Sequence, residues 1–203
     1  MPEADLLYAV DRRLMVAGGF VRRLVMVAVV LLLFLLGTRA LGFHWTLTES
    51  LPRGVYQRTH APLVRGTLVA FCLPLPQAEF GWHRGYIGSV PNLPVLRECP
   101  AGYQPLLKPI AAIAGDVIDL TPTMVRVNGE PMAQSHTQEH DRTGRMLPHV
   151  PWGRYQLTPG ELWVLSTYHP ASWDSRYFGP IRTETVIATV VPLWVWPTRE
   201  GQP

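Results

Sequence analysis

Hydrophobic positions fall into two regimes along the chain. From residue 24 to 36 they form a solid block, LVMVAVVLLLFLL, without a polar side chain. Beyond Phe43 they break into short runs at 54–57, 67–73, 106–114, 117–120, 124–127, 162–166 and 185–191. Pro, Gly, Asn or Asp bound these runs, as expected of strands and turns. The block is short for a bilayer span, which needs roughly 20 residues. Continuing it through Gly37-Thr38 to Phe43 supplies that length, with Arg39 able to snorkel outward. Arg22 and Arg23 stand directly before it, and Arg12 and Arg13 further back. Such basic flanking keeps the N-terminus in the cytoplasm. Residues 1–23 therefore read as a cytoplasmic tail, 24–43 as a retained transmembrane signal anchor, and 44–203 as a body outside the membrane. The competing reading is a signal peptide cleaved after Ala40, within Thr38-Arg39-Ala40.

The body reads as mainly β. Asn128-Gly129 is the strongest hairpin turn, because a type I′ turn needs φ > 0 at both positions. Residues 76–89 and 134–152 look like excursions from the sheet. The late stretch VVPLWVWP reads as a core strand, with contact at the bilayer interface as its alternative. Composition sharpens the β reading: 20 Pro and 17 Gly disfavour a helical bundle. The net charge of +3 is concentrated before the body. What remains is nearly neutral and lacks the basic footprint of a nucleic-acid binder.

One residue stands apart. Lys108 is the single lysine among 18 basic residues. Where arginine supplies charge everywhere else, the exception points to what arginine cannot do, which is to lose its proton and act as a base. Lys108 opens the run PLLKPIAAIAGD, whose apolar neighbours would desolvate the amine and favour its neutral form. Ser50 lies in TLTESLPRGVY, in a turn closed by Pro52 and Gly54. A serine nucleophile activated by such a lysine is a variant of the hydrolase triad. A third block, SWDSRYFGP, holds Ser172, Asp174, Ser175 and Arg176 in a tight polar turn, placed to pair locally or to brace a site, with Arg176 reading as part of the turn itself. Cys72 and Cys99 admit two readings, a disulfide in an exported body or two separate buried thiols. Three other patterns carry less. His136–His140 matches a zinc-protease pattern but sits near Pro131 with no helical stripe, so no metal or cofactor is expected. His169 as a triad base lacks a supporting block, and Arg22-Arg23 fits positive-inside flanking better than a twin-arginine signal.

These blocks resemble the signal peptidase I clan of membrane-anchored serine proteases. Shared features are a serine block after the anchor, a lysine block ending in Gly115-Asp116, the Asn128-Gly129 hairpin, and the late Asp174-Ser175-Arg176 block ending in Gly179. Finer motifs resemble its conjugative transfer branch, the TraF-type family. They are Ser50-x-Pro52-x-Gly54-x-Tyr56, Phe71-Cys72, Arg84-Gly85-Tyr86, Cys99-Pro100, Pro105–Lys108 and Asp141-Arg142-x-Gly144-Arg145. Thr46 and Gly66-Thr67 depart from common residues of that branch.

The resemblance implies a signal-peptidase-like domain of short, strongly bent antiparallel sheets behind one anchor helix. It further implies a Ser50/Lys108 dyad, with Thr48 as a second oxyanion donor beside the Ser50 N–H, and supporting roles for Ser172, Asp174 and Arg176. The expected setting is a monomer in a bacterial inner membrane, single pass, with a periplasmic catalytic domain. The expected substrate is a pilin precursor, processed and in some relatives cyclised. A general signal peptidase acting on exported preproteins is one alternative. A non-catalytic anchored assembly protein is another.

Overall fold

The computed structural model describes residues 20–34, 36–38, 41–46, 50–90 and 97–196. Most of the tail, Ala40 and Thr48 lie outside them. The chain divides into two units, Met1–Phe43 and His44–Pro203. In the first, α1 (Phe20–Thr38) is long and apolar enough to cross a bilayer. Its described side chains from Phe20 to Phe34 are all exposed.

The second unit is built on a seven-stranded sheet, formed by β1 (Phe43–Thr46), β2 (Gly54–Thr59), β3 (Leu68–Phe71), β4 (Leu106–Ile113), β9 (Glu161–Val164), β10 (Ile181–Arg182) and β11 (Val186–Val195). Their order is β1-β2-β11-β3-β4-β9-β10. A second sheet orders β7 (Glu130–Pro131), β6 (Val125–Val127), β5 (Val117–Leu120) and β8 (Gly153–Gln156). Registered pairs in both sheets are antiparallel, with bulges in β4 and β11. Alternation along β9, and the bulge between Ile110 and Ala112 in β4, send residues to two cores. Ile110 and Val164 join Val69, Phe71 and Trp173 on one side. Ala112 and Trp163 join Ile118, Leu120 and Val125 on the other.

The β6–β7 turn has φ 52° at Asn128 and 87° at Gly129, as a type I′ hairpin requires. Its side chain does more than turn the chain. Asn128 Oδ1 accepts from Val117 N at 2.9 Å, and its Nδ2 donates to Asp116 Oδ1 at 3.0 Å. Asp116 also accepts from Arg65 Nε at 2.8 Å and Ile113 N at 2.9 Å. The Arg65 hydrogen bond leads the causes that hold the Asp116 carboxyl down at about 2. The Gly-Asp that closes the lysine run is thus a clamp between β4 and the hairpin.

The excursion after β3 contains a helix, α2 (Leu75–Arg84), with Pro76 in its first turn and Gly85 ending it at φ 76°. Within it, a Cβ on Gly81 would meet the Trp173 ring at 2.5 Å, so glycine allows the helix to lie against that indole. Cys72 and Cys99 form a disulfide, Cα–Cα 5.4 Å, joining the end of β3 to the short turn that leads into β4. The Trp-rich C-terminal run is a strand, but the core reading of it is corrected. Val190 is buried, whereas Val191, Leu193, Trp194 and Val195 are exposed: this half of β11 pairs with β2, but its side chains join none of the packed clusters among the described residues. No helix forms at His136–His140, and His140 instead bridges to Met146.

Candidate active site

Ser50 stands in the turn before β2. Leu51, beside it, is buried against Tyr56, Ala70 and Val190. The Tyr56 hydroxyl donates to Pro52 O at 2.7 Å, which closes the turn. Gly54 permits the close approach of β11, since a Cβ there would fall 2.2 Å from Trp194 O. The carbonyl of Ser50 accepts from Ser166 Oγ at 2.5 Å.

Lys108 lies on β4, paired with Val69 of β3 and on the same strand face as Leu106 and Ile110. Its side chain is 2% exposed. Burial pushes the amine down to about 8; the Asp174 charge opposes that shift and Arg176 adds to it. Lys108 Nζ donates to Ser172 Oγ at 2.9 Å. At pH 7 about a tenth of this amine is then neutral and holds a lone pair, far more than for a solvated lysine.

Asp174 caps α3 (Ser175–Phe178) and is fully buried. Its carboxylate accepts from Arg176 Nε at 2.8 Å and Nη2 at 2.9 Å, and from Ser166 N at 3.3 Å. Arg176, also fully buried, donates from Nη2 to Ser172 O at 2.9 Å and from Nη1 to the His136 carbonyl. The ion pair therefore grips the main chain on either side of the lysine's hydroxyl partner. A buried carboxylate so committed lends its field to Lys108 without leaving an uncompensated charge.

Ser50 and Lys108 line one cavity of about 580 Å³, together with Ser172, Trp173, Leu106 and Leu147. Of the supporting residues read from sequence, the structure brings Ser172, Asp174 and Arg176 to this site; Thr48 lies outside the described residues. Two residues at the site were given no role from sequence. Ser166 links Asp174 to the Ser50 carbonyl, and a solitary serine at a strand end carries no signal for such a role. Asp141 gathers Arg84, Tyr86 and Arg145 on the cavity wall. The signal there was the acid inside an otherwise basic motif. Among the described residues, no three His, Cys, Asp or Glu side chains cluster as a metal site would need.

A family model described as signal peptidase, peptidase S26, matches residues 17–196. A plasmid transfer protein TraF of Escherichia coli is 33% identical over 173 residues, covering 85% of this chain and 93% of its own. A conjugal transfer protein TraF of Agrobacterium fabrum is 29% identical over 158 residues, covering 76% and 84%. A crystal structure of a signal peptidase I from Enterococcus faecalis covers 66% of this chain and 100% of its own, at 16% identity and TM-score 0.36.

Proposed function

Because the chain belongs to the signal peptidase S26 family, we propose that it is a membrane-anchored serine endopeptidase that matures a pilin precursor for conjugative transfer. The observation that carries this reading is the buried amine of Lys108, its pKa lowered by burial, lining the same cavity as Ser50. The kinship with plasmid and conjugal transfer proteins supports the biological setting.

In the mechanism, neutral Lys108 takes the proton of Ser50 Oγ as that oxygen attacks the substrate carbonyl. The oxyanion is met by the Ser50 N–H and the Thr48 hydroxyl. One such donor typically contributes about 10²–10³ in rate. The lysine then passes its proton to the leaving amine, and an acyl-enzyme remains. Water, or the amino terminus of the same pilin, completes the reaction by the reverse relay. Ser172 holds the amine in place, and Asp174 with Arg176 holds Ser172. The body works on the periplasmic side, where the disulfide persists.

The test is maturation of the plasmid's pilin precursor in cells carrying variants. Ser50→Ala and Lys108→Arg are each expected to abolish maturation while the protein still accumulates. Arginine keeps the charge and loses the base, so near-normal processing by Lys108→Arg would overturn the dyad.

A further inference from the structure

The cavity around Ser50 and Lys108 has a second chemical face. Arg84, Arg142 and Arg145 line it, and Asp141 is the one carboxylate among the described residues lining it. Arg142 Nη2 lies 3.3 Å from His169 Nε2. Arg84 and Arg145 are held firmly. Asp141 Oδ2 accepts from Arg145 Nε at 2.7 Å, from the Tyr86 hydroxyl at 2.6 Å and from Arg84 Nη1 at 3.4 Å. Its Oδ1 accepts from Thr143 N at 2.9 Å and Arg145 N at 3.0 Å, fixing the loop. Arg145 Nη2 donates to Arg84 O at 2.9 Å, and Arg84 Nη1 to Met146 O at 3.1 Å. A guanidinium has five N–H donors, so each arginine retains donors beyond these bonds. Both remain partly open to solvent, Arg84 at 22% and Arg145 at 41%.

Asp141 neutralises one charge and orders Arg84 and Arg145. The side-chain entropy that usually weakens an exposed ion pair is already spent in the free protein. The same cavity is also lined by Leu106, Leu107, Leu147 and Trp173. A ligand that suits both faces is a peptide with an apolar side chain and, a few residues away, a carboxylate.

We propose that the wall of Arg84, Arg142 and Arg145 is a carboxylate subsite of the peptidase, selecting substrates with an acidic group near the scissile bond. That group is an Asp or Glu side chain, or the free α-carboxylate of a short C-terminal segment. The inference rests on the peptidase reading, and one experiment separates the two. The full chain in detergent micelles is offered a mixed library of internally quenched decapeptides, prepared with free-acid and with amidated C-termini. Cleavage is expected to be enriched for Asp or Glu within about four residues of the cut, or confined to free-acid members cut near their end. Cleavage without either bias overturns the subsite and leaves the peptidase standing. No cleavage of any member overturns both.

A favoured peptide and its carboxamide counterpart then give the selectivity. On the strength of charge-assisted, bidentate pairing, the carboxylate is expected to be cut about tenfold better in kcat/KM at low salt. The ratio should fall toward unity in Arg145→Gln, be largely kept in Arg145→Lys, and shrink as NaCl is raised. Arg142→Gln repeats the test should Arg145→Gln fail to fold. A ratio of one in the unaltered protein, or a ratio indifferent to both salt and arginine removal, overturns the assignment.

Discussion

Burial decides what Lys108 can do. A solvated lysine is protonated at every physiological pH; this one, pushed down to about 8, releases its proton within the working range. If it is the base, kcat/KM on a fixed peptide should rise close to tenfold per pH unit below about 8 and level off above it. A rate independent of pH between 6 and 9 would remove the lysine from the mechanism. The same shift bears on stability. The unfolded chain holds that proton more tightly, up to its ordinary 10.5. Below pH 8 the buried lysine therefore costs the fold about 3 kcal/mol, a cost that fades as pH rises from about 8 to 10.5. Lys108→Met should accordingly melt higher than the parent at pH 7 while losing activity, as calorimetry beside a peptidase assay would show. Lys108 was legible in the sequence because it is a lone exception. Ser166 was not, because a hydroxyl that bonds a backbone carbonyl 116 residues away leaves no pattern in residue types.

Among the elements, β4 carries the lysine and its two neighbours steady it. One steadying tie is the Cys72–Cys99 bridge, whose ends are 27 residues apart. Closing a loop of that size contributes on the order of 3–4 kcal/mol in the chain-entropy model. The double variant Cys72→Ser, Cys99→Ser should lower the denaturant midpoint by a corresponding amount, and an unchanged midpoint would show the tie to be idle. The strands were legible from their apolar runs and turn residues, and so was the Asn128-Gly129 hairpin. The helix α2 was not. Residues 76–89 read only as an excursion from the sheet, because proline and glycine disfavour helix in general; here Pro76 lies in the first turn, where proline is tolerated, and Gly81 makes room for Trp173. The exposed end of β11 was misread for the opposite reason: apolar composition marks a preference for burial, and only the tertiary fold decides whether a partner covers it.

At the scale of the whole molecule, the apolar helix and the proposed peptidase body fall in separate units. An exposed apolar helix of 19 residues fits a membrane-anchored protein. The chain should remain with the membrane fraction after alkaline carbonate extraction. Protease added to spheroplasts should degrade the body, and a body protected until the cells are lysed would place it on the cytoplasmic side instead.

The solitary lysine has a practical corollary. Amine-coupling surfaces and lysine cross-linkers find no other side-chain handle on this protein, since its other basic residues are arginines and histidines. Isotopic enrichment turns that scarcity to use. A chain grown on nitrogen-labelled lysine has one labelled side-chain nitrogen, so its resonance needs no assignment, and the gain and loss of a single proton can be followed by eye as the cavity is emptied or filled.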